Sequence, residues 1–291
     1  MAKISTSRSL GFTLIETLVV MLIISILTAI LVPAVSKATQ VCRATREMAA
    51  GQQLMVAYLA YANDSRGRVL PGLPTASMVQ TGVVNASGET LTGPPAQRYP
   101  WRIAPYINYN FRGLYASNRQ VADMVERQAY FQSLGVNTDY IISLYPSLAL
   151  NVAFVGGSER HGGWDPLFTS RFGRVYLEKD SDANRPGDVI VFASARAEAL
   201  PGLLSEPTAE GHFRLEPPRF AASQPLAWEA SYDPKSVLPG SNSGFVSLRN
   251  LNRAVTTRFD GHATQMDWDA LRDMRSWADQ ATSADWGVTP R

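Results

Sequence analysis

From Phe12 to Val32 the chain is almost unbroken apolar sequence, and Glu16 is the one ionisable side chain within it. At about 1.5 Å per residue this stretch forms a helix of roughly 31 Å, enough to cross the hydrocarbon core of a bilayer. Beyond Val32 the pattern becomes amphipathic. Apolar residues recur at Val35, Ala38, Val41/Cys42, Met48, Met55, Leu59 and Ala62 as one helical stripe, with Arg43, Arg46 and Glu47 on other faces. Together the two patterns predict a single helix from Phe12 to about Tyr61, on the order of 75 Å long. Pro33 is expected to kink it and Gly51 to weaken it. Asn63-Asp64-Ser65-Arg66-Gly67 supplies the stop.

A Pro/Gly-rich connection then runs to Pro100. Trp101–Ile107 reads as a short helix or strand, and Val121–Gly135 as a modest helix. After that the signal is mostly β. Short runs rich in Val, Ile, Phe and Tyr predict strands at Tyr140–Leu144, Asn151–Val155, Arg174–Leu177, Val189–Ala193, His212–Leu215, Phe245–Leu248 and Ala254–Phe259. Asp260-Gly261, between Ala254–Phe259 and His262–Trp268, predicts a hairpin with a two-residue type I′ turn. A last amphipathic segment, Asp269–Ala281, places Leu271, Met274, Ala278 and Ala281 on one face. The expected fold is α+β: a long N-terminal helix whose outer half packs on an antiparallel sheet. The expected boundaries are a leader over 1–11, a membrane helix over 12–32, its outer continuation over 33–62 and a β-rich domain over 63–291.

Composition narrows the partners. The formal charge of +2 comes from Lys3 and Arg8; without them basic and acidic residues balance at 25 each. A neutral chain is not a general nucleic-acid binder. The single cysteine, Cys42, excludes an internal disulfide and reads as a half-buried helix thiol. No hydrolase, nucleotide-binding or metalloprotease fingerprint is present, so no catalytic residue, cofactor or metal is expected. Asp180, Asp182, Asn184 and Asp188 begin with calcium-loop spacing, but Arg185 and Pro186 stand where the turn glycine belongs, and the run reads as a solvated turn. The six tryptophans read as core, with Trp286 the best exposed candidate for ligand capture.

Glu16 is the residue these patterns do not explain. A carboxylate within a bilayer costs at least about 2.5–3.5 kcal/mol and needs a partner. The run Gly11-Phe12-Thr13-Leu14-Ile15-Glu16, ahead of an apolar helix and behind a basic leader, resembles the N-terminal signal of type IV pilins and type II secretion pseudopilins. That resemblance implies cleavage after Gly11 by a prepilin peptidase and methylation of Phe12. It implies that Glu16 is the assembly acid, pairing with the Phe12 amine within the chain or in a neighbouring copy. Two other readings remain: a secretory signal peptide cut near Ala34-Val35-Ser36, and an unprocessed anchor. A mature N-terminus at Phe12, at Lys37, or at Met1 or Ala2 separates the three.

The resemblance also implies a function. It points to a structural subunit, minor or specialised, of a type II secretion pseudopilus or type IV pilus. Its partners would be like or related pilin subunits and an inner-membrane assembly platform. The N-terminus would be cytoplasmic, the span single, and the C-terminal domain periplasmic. The rival is a membrane-tethered binding protein or adhesin that uses the same export signal and does not polymerise. Asp260-Gly261 further resembles the end of a His-x9-Asp-Gly motif found in a subgroup of prepilin-type proteins, with Asn250 at the histidine position. Tyr99-Pro100-Trp101-Arg102 and Phe154-Val155-Gly156-Gly157 also resemble that subgroup.

Overall fold

The computed structural model describes residues 13–79, 82–202 and 206–291. The chain divides into two units, Met1–Cys42 and Arg43–Arg291. Helix α1 runs Leu14–Asp64 and carries Pro33 inside it. In the first unit it is exposed throughout residues 13–42. In the second unit the buried stripe is Ala44, Glu47, Gly51, Leu54, Met55, Ala57, Tyr58 and Ala62. Spacings of three and four put these residues on one face. Two expectations fail here. Glu47 belongs to the buried face rather than the solvent face, and Cys42 is exposed rather than half-buried.

The buried part of α1 packs on a five-stranded mixed sheet in the order β5-β1-β2-β6-β7. These strands are β1 (Leu148–Asn151), β2 (Ile190–Ser194), β5 (Arg214–Leu215), β6 (Ala254–Arg258) and β7 (Ala263–Met266). All pairings are antiparallel except β1–β5, which is parallel. A separate ribbon joins β3 (Arg196–Glu198) to β4 (Thr208–Glu210). Strands β1, β2 and β6 are buried at every position. Side chains alternate between faces, so both faces are covered. Leu148, Leu150, Phe192 and Val255 join the core that includes α1, where Phe192 meets Tyr58 edge-on at 5.7 Å. Ala149, Ile190, Ala193 and Ala254 join a second core with Leu271, Met274, Trp277 and Ala278. The final segment therefore buries the expected face. It does so with a short helix, Trp268–Leu271, and a 3-10 turn, Met274–Ser276, because Asp267 and Asp273 each cap a new start.

At Gly51 helix and sheet approach closely. A Cβ there would lie 2.6 Å from the Thr257 methyl and 3.3 Å from Leu148 Cδ1. The expected weak point is thus a packing requirement. Gly51→Ala should lower stability by about 1–3 kcal/mol through overpacking, despite alanine's better helix propensity. A urea midpoint at or above that of the parent chain would show that the contact yields.

Several local expectations are corrected. Tyr140–Leu144 is helical, within Thr138–Leu144, because the Asn137 side chain accepts from Tyr140 N at 3.0 Å and caps it. The strand expected at Asn151–Val155 ends at Asn151. Its Nδ2 turns to donate to Ile190 O at 3.0 Å and Trp277 O at 2.9 Å, and its Oδ1 accepts from Phe154 N. Gly156 then passes so close to Leu70 that a Cβ would lie 2.1 Å from its carbonyl oxygen, at a φ of +73°. Arg174–Leu177 and Phe245–Leu248 contribute only isolated bridges, to Val155 and Ala195. Gly244 and Phe245 both have left-handed φ, which breaks extension there. The helix expected over Val121–Gly135 is two, Arg119–Glu126 and Gln128–Ser133, interrupted at Arg127. The β6–β7 hairpin forms with a different turn. Arg258 N donates to His262 O and Gly261 N to Arg258 O, with Gly261 alone at positive φ. That is a three-residue loop with a glycine bulge. The two-residue turn of the I′ kind lies instead at Leu251-Asn252, both at positive φ, between Asn250 and Arg253.

Candidate functional site

The apolar half of α1 presents its side chains outward, with Leu14 81% and Ile30 68% exposed. Its hydroxyls turn back onto the helix. Thr17 Oγ1 donates to Leu14 O at 2.9 Å, Ser25 Oγ to Met21 O at 2.7 Å and Thr28 Oγ1 to Ile24 O at 2.8 Å. Polar groups satisfied in this way cost little in a medium without hydrogen-bonding partners. Among the described residues α1 is the one helix long and apolar enough to cross a membrane, which is compatible with a single-pass anchor.

Glu16 occupies the first turn of α1. Its Oε2 accepts from Thr13 N at 2.8 Å and Thr13 Oγ1 at 2.7 Å, while Glu16 N donates to Thr13 Oγ1 at 3.3 Å. This is a reciprocal capping box. The Thr-x-x-Glu spacing that signals it was legible in the sequence. Two bonds leave acceptor capacity on a carboxylate, so the cap is compatible with an added cation. Gly11 and Phe12, the expected cleavage and methylation positions, lie outside the described residues, as does the expected Phe12–Glu16 pairing.

The second unit holds an anchor that sequence reasoning missed. Glu47, 1% exposed, is gripped by residues about 200 positions away. Arg249 Nε donates to its Oε2 at 3.2 Å, and Arg249 Nη2 donates to its Oε1. Asn250 Nδ2 donates to Oε2 at 2.8 Å, Ser194 Oγ to Oε1 at 2.9 Å and Ser117 Oγ to Oε2 at 3.3 Å. Arg249 also donates to Ser147 O at 2.8 Å, Ala195 O at 2.7 Å and Glu210 Oε2 at 2.7 Å. Burial alone would lower the Arg249 guanidinium, but the Glu47 and Glu210 carboxylates outweigh it and hold the group above its ordinary value. Asn250, at the motif's histidine position, thus serves the helix carboxylate. Asp260, at the motif's other end, bonds His262 Nδ1 at 2.6 Å on the exposed hairpin tip. Asn250 and Asp260 thus have different partners.

The remaining candidates make contacts within the fold. Asp182 accepts from Arg174 and from the backbone of Glu178 and Lys179, and Asn184 donates to Asp279. Among the described residues no group of three or more His, Cys, Asp or Glu side chains could hold a metal. Trp286 is half-buried, 6.0 Å from Phe154, rather than an open platform.

His212 is buried between Phe213 and Phe245, ring centroids 4.6 and 4.1 Å away. Burial, with Arg214 and Arg98 nearby, holds its imidazole well below the usual 6.5. The folded chain keeps the ring neutral, while the unfolded chain takes up a proton below about 6.5. Stability should therefore be flat above neutrality and fall as the pH drops through 6.5, by about 1.4 kcal/mol at pH 5.5. The carboxylates held low, such as Asp260 and Asp273, contribute only nearer their ordinary range. Urea midpoints at pH 7.5 and 5.5 should converge in His212→Leu; an equal fall in both proteins would assign the dependence elsewhere.

Comparison with known proteins bears on the first of these sites. Residues 6–32 match the family described as the prokaryotic N-terminal methylation motif. The match covers residues 6–11 of the expected leader and all of the apolar segment, including Gly11, Phe12 and Glu16, and agrees with the prepilin-type reading of that segment. It does not extend to the His-x9-Asp-Gly subgroup. No curated protein and no solved structure matches the chain.

Proposed function

We propose that this chain is a structural subunit, minor or specialised, of a type II secretion pseudopilus or a type IV pilus. The observation that carries the proposal is the methylation motif at residues 6–32, joined to an exposed apolar half-helix whose one acid, Glu16, stands in its first turn. In this reading prepilin peptidase cuts after Gly11, Phe12 is methylated, and α1 waits in the inner membrane with the β-rich domain in the periplasm. At the assembly platform the apolar helices of like or related subunits bundle. Glu16 accepts the Phe12 amine of a neighbour while remaining bonded to Thr13. A carboxylate that costs at least about 2.5–3.5 kcal/mol in lipid becomes a device that sets helix register. No catalytic step is assigned to any residue.

Cys42 provides the test, since it is the chain's only cysteine and lies exposed on α1. Membranes from producing cells, treated with a thiol cross-linker, should yield adducts between copies or with related subunits. A chain that stays monomeric while its N-terminus maps to Phe12 would support the tethered, non-polymerising binding protein instead.

A further inference from the structure

The segment Tyr99-Pro100-Trp101-Arg102 plays no part in the proposed assembly, yet it builds an unusual site. A pocket of about 330 Å³ lies in the second unit, walled by Tyr61, Met78, Val83, Trp101, Pro105 and Tyr106. Tyr61 and Tyr106 meet edge-on at 5.7 Å. Among the described residues lining it, Arg102 is the one that is charged. Its Nη2 donates to Gly72 O at 3.1 Å, whereas its Nε is buried without a partner. No described carboxylate forms an ion pair with Arg102, in contrast to Arg249. The Tyr58 hydroxyl, also buried and unpartnered, lies near enough to feel the guanidinium.

Arg102 is partly buried, with its Nε shielded from solvent, and an unpaired cation in such a place is costly, since charges taken out of water are ordinarily paired. Burial pushes the Arg102 guanidinium down to about 10, which still leaves it charged at neutral pH. A guanidinium offers five N–H donors in a planar fork, and most remain available here. The fork matches a carboxylate held bidentately. One positive charge balances one carboxylate, while a phosphate ester carries about −1.5 to −2. The volume is at the small end of ligand sites, and the walls are apolar and aromatic.

We propose that this pocket binds a monocarboxylate bearing an apolar or aromatic group, with the carboxylate on Arg102 and the apolar group against the wall formed by Tyr61, Tyr106 and Val83. The ligand is a free acid of amino-acid size or the C-terminus of a peptide, which share this chemistry. This site is independent of filament assembly.

The test is calorimetric titration of the full chain in detergent with N-acetyl-L-phenylalanine and its amide, and with a short peptide ending in phenylalanine as free acid and as amide. Each acid should bind at least about tenfold more tightly than its amide. Arg102→Gln should remove that preference. Met78→Glu, on an exposed side chain at the pocket wall, should weaken the acids about tenfold with an unchanged urea midpoint. Equal affinity for the small acid and the peptide acid identifies a free acid as the ligand. A peptide preferred about tenfold identifies a chain terminus. No saturable binding of either acid up to about 10 mM, or equal binding of acid and amide, overturns the proposal.

Discussion

Glu16→Ala is expected to leave the chain inserted in the membrane and to abolish its Cys42 cross-linking to other subunits. Insertion should survive because the substitution removes the only charge from the apolar segment, a change favourable by at least about 2.5–3.5 kcal/mol in lipid. The lost carboxylate half of the capping box costs only about 0.5–2 kcal/mol and affects one helix end, since the backbone N–H of residue 16 still donates to Thr13 Oγ1. Assembly should fail because a neighbouring amine would be left in the bilayer without a counter-charge. Glu16→Gln separates the two roles. Glutamine can still accept from Thr13 N, as capping boxes allow, but carries no charge. Glu16→Gln should therefore fail like Glu16→Ala. Normal cross-linking in Glu16→Gln would mean that the cap suffices and that no ion pair drives assembly.

Arg249→Ala should destabilise the second unit by about 3–5 kcal/mol, because it strands a buried carboxylate. Glu47 would keep bonds from Asn250, Ser194 and Ser117, none of which is charged. Glu47→Gln should cost less, since Arg249 retains Glu210 as a half-exposed partner. Replacing both, as Glu47→Leu with Arg249→Met, should recover much of the loss, as paired hydrophobic substitutions of buried ion pairs do. Urea midpoints of the full chain in detergent measure all three. A loss below about 1 kcal/mol in Arg249→Ala would place the pair among weak surface bridges and end its role as the anchor of α1.

These two acids lie on one helix, and their legibility differs. Glu16 stands out because it interrupts an apolar run, so the local pattern itself marks it. Glu47 sits among Arg43, Arg46 and other polar residues, where a periodic reading assigns charge to solvent. Its partners are Arg249 and Asn250, and nothing nearby in the sequence signals a turn so distant. The same reasoning explains the hairpin. Asp260-Gly261 correctly marked a turn, but the pairing of Thr257 with Ala263 set the loop at three residues and moved the positive φ to Gly261 alone. At Tyr140–Leu144 a β-rich composition lost to a helix cap at Asn137. At Asn151 the side chain ended the strand by taking partners from β2 and the final segment.

The sequence by itself determined the long helix, its apolar span, the lone acid and the α+β class. Each rests on local periodicity or on the cost of a charge in lipid, which neighbours in the chain suffice to set. Tertiary structure alone decided which face of α1 is buried, why residue 51 is glycine, what Asn250 holds and that Arg102 has no ion-pair partner among the described residues. Those features depend on groups brought together across a sheet covered on both faces, where a carboxylate is tolerable or a guanidinium conspicuous only because of what the fold places beside it.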